Sequence, residues 1–268
     1  MPRVQTILIT GATAGIGLAT ARHLAAAGHR LLVHGRSAAK VEALVAELAD
    51  SPEPAEGVVA DLADLHAVVS MAEHLLENNE HIDVVINNAG VLKLPRPHLE
   101  SGHDLRFVVN TLAPALLTRR LLPLLGSTSR VINLSSAAQD TVDLAALAGR
   151  RRLADFPAYA QSKLALTMWS MALAEELGPE GPVVIAVNPG SLLNTRMVQE
   201  GFGRSRAGVE VGVDILSRAA LSEDFASATG RYFDNDSGRF APPHPDALDA
   251  GRRAAVVAAV EAQIQELL

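Results

Sequence analysis

One turn near the start of the chain limits the fold more than any other feature. Thr10-Gly11-Ala12-Thr13-Ala14-Gly15-Ile16-Gly17 joins an apolar strand, predicted over Thr6–Ile9, to a helix predicted over Ile16–Ala27. Gly11 permits the sharp turn, and Gly15 and Gly17 let backbone approach backbone or a ligand closely. A loop that runs into a helix N-terminus presents free N–H groups and the positive end of the helix dipole, which suit a pyrophosphate. A plain glycine-rich turn has the same composition. Position separates the two, because this turn follows the first strand and opens the first helix, as a dinucleotide site requires. The second strand, predicted over Arg30–His34, ends in His34-Gly35-Arg36-Ser37. A carboxylate there would accept from a ribose 2′-OH, whereas an arginine pairs with a 2′-phosphate. There is no acid and Arg36 is present, so NADP(H) is expected in preference to NAD(H), which stays open. The competing view is that Arg36 is an ordinary solvated arginine.

Strand and helix signals alternate through the rest of the chain. Helices are predicted over Ala38–Asp50 (with Ser37 as N-cap), Ala63–Glu77, Leu105–Leu124 and Pro157–Leu177, and strands over Gly57–Ala60, Val84–Ile86, Arg130–Leu134 and Val183–Val187. Continuous apolar strands between amphipathic helices indicate a parallel sheet covered on both faces. No linker or composition break interrupts the pattern. The expectation is an α/β chain, one Rossmann-type doubly wound domain over residues 1–268. Beyond Gly190 the period fades. Ser191–Val211 is rich in Gly, Ser and Arg and reads as a substrate loop. Gly212–Leu221 is predicted helical, Gly230–Asp234 a last strand, and Arg252–Leu268 a terminal helix within a C-terminal extension from about residue 235.

Bulk properties narrow the function. The net charge of −7 argues against nucleic acid as partner. With no cysteine there are no disulfides, thiolate metal sites or cysteine nucleophile. His98 and His103 lack a third ligand nearby in sequence, so no metal is expected. No apolar run reaches the roughly 18–20 residues that span a bilayer, and the first strand is too short for a signal segment. A cytoplasmic, soluble protein is expected.

Tyr159-Ala160-Gln161-Ser162-Lys163 puts a tyrosine and a lysine one helical turn apart on the same face. An ammonium beside a phenol favours phenolate, and free tyrosine, near ~10, needs such help to exchange protons at neutral pH. Alone, the pair is weak evidence and more often describes a partly exposed helix face.

Taken in order, the glycine turn, Asn87-Asn88-Ala89-Gly90, Val131-Ile132-Asn133-Leu134-Ser135-Ser136, Tyr159-x-x-x-Lys163 and Asn188-Pro189-Gly190 make the chain resemble the short-chain dehydrogenase/reductase family over nearly its whole length. Glu100–Thr118, with Gly102, Phe107 and Asn110, is most similar to the retinol-dehydrogenase-like branch. The resemblance implies a carbonyl–alcohol oxidoreductase acting on a small molecule by hydride transfer. It implies that Gly11, Thr13, Ala14, Gly15, Ile16 and Gly17 form the cofactor loop, and that Asp61 and Leu62 lie beside the adenine. Asn88, Ala89 and Gly90 would pass the cofactor, and Pro189, Gly190 and Thr195 would close over the nicotinamide amide. Ser136, rather than Ser135, would be the catalytic serine, Tyr159 the general acid/base, and Lys163 its partner and a ribose ligand. Asn110 would hold a water near the lysine. The substrate would meet Leu92–His98, Gln139–Phe156 and Ser191–Val211, which suit a small or medium apolar ketone, aldehyde or secondary alcohol. Homodimers or homotetramers packed through Leu105–Leu124 and Pro157–Leu177 are implied, unless the insertion beside the second helix blocks them. Three departures stand out. Ser136 and Tyr159 are 23 positions apart, wider than the family habit, with Arg150-Arg151-Arg152 between them. Thr195 comes one place late after Pro-Gly. Tyr232–Asp236 lacks the double glycine of many members. The rival class is a cofactor-binding sensor of the same fold without turnover, which often loses the tyrosine or lysine that this chain keeps.

Overall fold

Strands with no polar face must be covered on both sides, and this chain covers them with helices in two layers. The computed structural model describes residues 3–203, 205 and 207–268. In chain order the strands are β1 (Thr6–Ile9), β2 (Arg30–Gly35), β3 (Glu56–Val59), β4 (Val84–Asn87), β5 (Arg130–Leu134), β6 (Val183–Asn188), β7 (Tyr232–Asp234) and β8 (Arg239–Phe240). They form one sheet of order β3-β2-β1-β4-β5-β6-β7-β8. All pairs are parallel except β7 with β8. The strand order reverses between β1 and β4, so the crevice for a ligand opens at their C-terminal ends.

Alternation along the strands sorts side chains into two cores. Ile7 and Ile9, Leu31 and Val33, Ile132 and Leu134, and Ile185 and Val187 face one layer, formed by α1 (Gly15–Ala26), α2 (Ala38–Glu47) and, much later in the chain, the helix Glu210–Leu221. Leu8, Leu32, Val85, Val131 and Val184 face the other. That second layer begins with α3 (Leu65–Asn78), whose N-cap Asp64 accepts from His66 N and Ala67 N.

The helix predicted over Leu105–Leu124 is not continuous. It is built as α4 (Leu105–Phe107), a π turn (Val108–Leu112), α5 (Ala113–Leu121) and a final 3₁₀ turn (Leu122–Leu124). Pro114 has no N–H to give the carbonyl of Asn110 four residues earlier, and its ring would crowd that carbonyl. The wider turn, in which Ala113 N donates to Val108 O, relieves the clash at Asn110.

Between Ser136 and Tyr159 the insertion holds a short helix, α6 (Leu144–Leu147), capped by Asp143. The long helix α7 (Asp155–Leu177) follows. Every residue from Ala160 to Ser170 is buried, so this helix is wrapped on all sides. Its polar residues meet polar residues of the sheet. Asn133 Nδ2 donates to Ser170 Oγ (2.8 Å), Asn87 Nδ2 donates to Asn133 Oδ1 (2.7 Å) and Thr118 Oγ1 (3.0 Å), and Ser135 Oγ bonds Thr167 Oγ1 (2.6 Å).

The segment Ser191–Val211, without period in the sequence, contains α8 (Arg196–Phe202). Thr195 caps it, and Gly203 closes it with φ +67°, in the left-handed region that favours glycine. The helix already described over Glu210–Leu221 is α9. After β8 come α10 (Pro245–Leu248) and α11 (Ala250–Leu267). The last of these lays Val256, Val260 and Ile264 against the core around α7. Bonds from His103 to Gln263 (2.6 Å), from Arg253 to Glu175 (2.7 Å) and from Arg119 to Glu261 (3.0 Å) fasten it.

Candidate active site

The glycine turn is held from three directions. Asn88 Nδ2 donates to Thr10 O (2.8 Å) and Gly11 O (3.2 Å). Ala89 N donates to Thr10 Oγ1 (3.1 Å). Gly11 N donates to His34 Nδ1 (3.2 Å). A β-carbon on Gly11 would lie 2.9 Å from Ala89 Cα, and one on Gly17 2.4 Å from Asn88 Nδ2 and 2.5 Å from Gly11 O. These two glycines therefore serve the packing of turn on turn. Gly15, at φ +56°, faces Thr195 across a wider gap, 3.7 Å from a β-carbon at Gly15 to Thr195 Cγ2. Ala14 caps α1 with no side-chain hydrogen bond, and the first turn carries no acid, so no side chain competes for its free N–H groups.

Around this cradle lie the other residues singled out from the sequence. Thr13 stands against Gly35, and Ile16 packs toward Gly212 of α9 beside Leu193. Arg36 is exposed and pairs with no carboxylate among the described residues. Asp61 is exposed and accepts from Ala63 N (3.0 Å), while Leu62 is buried. Gly190 N donates to Asn188 Oδ1 (3.2 Å), and Pro189 O accepts from Asn235 Nδ2 (3.0 Å). Thr195 uses its hydroxyl to cap α8, accepting from Val198 N (3.3 Å).

The proton-transfer candidates converge at the C-terminal end of β5. Ser136 is partly exposed, its Oγ accepts from Ala138 N (3.1 Å), and it lies near enough to the Tyr159 phenol to favour phenolate. Ser135 is buried beneath it, engaged with Thr167. The structure thus separates two adjacent serines by direction, as alternation along a strand end requires. Lys163 is buried, with Nζ 5.8 Å from the Tyr159 ring centroid and donating to Leu134 O at 2.7 Å. A β-carbon on Gly90 would lie 3.4 Å from both Lys163 Nζ and Asn110 Oδ1, so this glycine keeps open the space between them.

The electrostatics differ from the sequence expectation. Lys163 was expected to lower the tyrosine pKa. Burial instead raises the Tyr159 phenol, with Ser136 pulling the other way. Burial also pushes the Lys163 ammonium down to about 8. The ammonium is directed to a main-chain carbonyl, and at its distance the charge does not outweigh desolvation of the phenol. Asn110 Oδ1 accepts from Val91 N (2.8 Å), and its Nδ2 donates to Val91 O (3.0 Å) and Ser162 Oγ (3.0 Å). Its side chain therefore clamps the loop after β4 to α7.

Comparison with known proteins agrees with this geometry. The family described as short chain dehydrogenase matches residues 5–205. The chain belongs to that family. Within it, the chain sits in the retinol-dehydrogenase-like branch. It is 30% identical over 270 residues to Retinol dehydrogenase 13 of Homo sapiens, covering 93% of this chain and 82% of that one. It is 38% identical over 257 residues to Polyprenol dehydrogenase of Mus musculus, covering 87% and 76%. A solved short chain dehydrogenase from Burkholderia cenocepacia J2315, in complex with NADP, superposes with TM-score 0.70 at 28% identity, covering 88% of this chain and 97% of that one. Membership places the protein among the oxidoreductases that use a nicotinamide cofactor. Among the described residues no helix is long and apolar enough to cross a membrane.

Two groups at the site were missed from the sequence. Arg106 is fully buried between Asp104 and Asp155. Its signal was a lone cation in the apolar run Leu105–Val109. His34 is the second. Its Nδ1 accepts from Gly11 N, and its Nε2 bonds Ala60 O (3.0 Å), so the buried ring is neutral and joins the glycine turn to the end of β3. Burial lowers its pKa, partly offset by the bond to Ala60 and by Asp61. A histidine with a folded pKa below its unfolded value of about 6.5 contributes stability that is complete above that pH and is lost as pH falls toward the folded value. Urea unfolding between about pH 8 and pH 5 is therefore expected to show the wild type losing more stability than His34→Gln, whose amide donates and accepts without titrating. Equal slopes for the two proteins would contradict this role.

Proposed function

We propose that the protein interconverts an apolar carbonyl compound and its alcohol with NADP(H), Tyr159 acting as general acid and base. The observation that carries this reading is the convergence of Ser136, Tyr159 and Lys163 at the end of β5, beside a helix N-terminus whose donors no side chain uses. The residues fit a dinucleotide. The uncapped first turn of α1 would take the pyrophosphate, and Gly15 and Thr195 would flank it. Gly90 leaves room for the ribose between Asn110 and Lys163, and Lys163 would hold its hydroxyls.

When bound, the nicotinamide supplies or accepts the hydride. The chain does the rest. Ser136 donates to the reacting oxygen and orients it. Tyr159, kept neutral by burial, gives its proton to the developing alkoxide, which is far more basic than a phenolate. Asn110 fixes the loop that carries Gly90. Leu92, against which Gly201 packs, and Met197, near Gly90, give the mouth an apolar lining. The relatives' names, retinol and polyprenol, fit a substrate of that character.

The NADP(H) preference rests on Arg36, exposed without a carboxylate partner where a 2′-phosphate would lie, and on the likeness to the Burkholderia complex. One nicotinamide-binding unit spanning residues 1–268 is the organisation this reading assumes. Since α11 of the same chain covers α7, self-association would use a surface other than that helix.

Oxidation of NADPH against a panel of aldehydes and ketones tests the chemistry. Tyr159→Phe is expected to keep NADPH binding and lose about 10²–10⁴-fold in turnover. Ser136→Ala should lose about 10²–10³-fold, whereas Ser135→Ala, which removes only a contact between α7 and the end of β5, should lose far less. An active Tyr159→Phe would refute the mechanism. For the cofactor, Arg36→Asp should raise KM for NADPH tenfold or more and leave NADH less affected, because a charge-assisted hydrogen bond contributes about 1.5–3 kcal/mol. An unchanged NADPH/NADH ratio would remove Arg36 from the 2′-phosphate site.

A further inference from the structure

We propose that Arg106 is a positioning residue for the reaction, pinning the first turn of α7 so that Tyr159 is clamped between two fixed points. The inference rests on Tyr159 being the proton donor. Arg106 is wholly buried. Its Nε and Nη2 form a fork on Asp104, 2.8 Å to Oδ1 and 2.6 Å to Oδ2. Its Nη1 pairs with Asp155 and reaches Leu92 O at 3.4 Å. Asp104 in turn caps α4, accepting from Arg106 N at 2.9 Å, and His98 Nε2 lies 3.7 Å from its second oxygen.

Asp155 is the first residue of α7, one turn before Tyr159 on the same face. The second pin lies three residues beyond Tyr159. Ser162 Oγ donates to Tyr159 O (2.7 Å) and accepts from Asn110 Nδ2, and Ser162 O accepts from Thr111 Oγ1 (2.8 Å). Both pins rise from one short stretch, Arg106 to Thr111. That stretch also holds the loop after β4, through Arg106 to Leu92 O and through Asn110 to Val91. One guanidinium thus relates α7, the site wall at Leu92 and the helix that carries Asn110.

Stability alone is a poor reason for such a group. Burying a guanidinium among carboxylates costs desolvation that an apolar side chain of similar volume avoids. Direction is what the planar fork supplies, three fixed bearings from one side chain. A reacting geometry displaced by about 1 Å costs on the order of 10²-fold in rate, so a helix start that drifts is felt at the phenol one turn later.

The decisive variant is Asp155→Ala. Its side chain is 46% exposed, and its loss leaves Arg106 still paired with Asp104, so the fold is retained. Arg106→Met would instead orphan Asp104 and threaten folding. The chain has only two tyrosines, Tyr159 and Tyr232, so phenolate absorbance follows both and Tyr159→Phe assigns them. In Asp155→Ala the Tyr159 phenol is expected to titrate lower than in the wild type, as water reaches a loosened turn. Turnover should fall about 10–100-fold with KM for NADPH unchanged, and Asp155→Glu should recover part of it. An unchanged Tyr159 titration, or unchanged turnover alongside lowered thermal stability, would reduce the network to a structural role and overturn the proposal. Failure of the underlying chemistry shows elsewhere: Tyr159→Phe would then turn over like the wild type, and the positioning proposal would fall with it.

Discussion

An ammonium buried in a helix that touches protein on every side is the constraint around which this structure is arranged. Lys163 donates to the carbonyl of Leu134, and no carboxylate among the described residues pairs with it. Such a charge is tolerable only where its surroundings cannot slip. The polar contacts between α7 and the sheet give that rigidity. Thr167 meets Ser135, Ser170 meets Asn133, and Asn133 is tied to Asn87 and so to Thr118. Lys163, Thr167 and Ser170 recur at helical spacing, so one edge of α7 reads the polar positions of β5 and its C-terminal end. These contacts fix the rotation and height of the helix. A purely apolar helix could settle in several registers, and the height of Lys163 over Leu134 would then be undefined.

Two further clamps work at the opposite ends of the same crevice. At the glycine turn, His34, Asn88 and Thr10 hold the backbone so that the α1 N-terminus faces the opening. Beside Tyr159, Arg106 and Asn110 hold the start of α7 and the loop after β4. Each clamp uses buried polar groups that are bonded, and each lies at the C-terminal end of a strand. The parallel topology accounts for that placement, since connections that leave the strand ends at the reversal of strand order are the ones free to form a site.

The legibility of these features in the sequence follows the distance between partners. The glycine turn and the Tyr159/Lys163 pair were legible because their geometry is local: a positive φ at Gly11 and Gly15, and one helical turn. The sheet was legible because apolar strands alternate with amphipathic helices. Arg106 was not legible, because its partner Asp155 is 49 residues away, and neither was His34, whose acceptor at Ala60 is 26 residues away. The π turn was hidden by a strong helical pattern, although Pro114 marked the place. Helix α8 was hidden by composition, although Thr195 and Gly203 were its cap signals. Direction decided what adjacency could not. Ser135 and Ser136 are equal in sequence, and only the strand end turns one inward and the other toward the phenol. The Tyr159 pKa moves opposite to the expectation because spacing predicts proximity, while the balance of burial against charge depends on everything else around the phenol.

The central claim is hydride transfer at the end of β5, and isotope transfer tests it most directly. NADPH deuterated at C4 would be incubated with the full chain and a panel of apolar aldehydes and ketones, and the products read by mass spectrometry. Deuterium from one face of the nicotinamide is expected on the carbinol carbon of at least one product. Tight NADPH binding with no label on any product would contradict the account and favour a cofactor-binding protein without turnover.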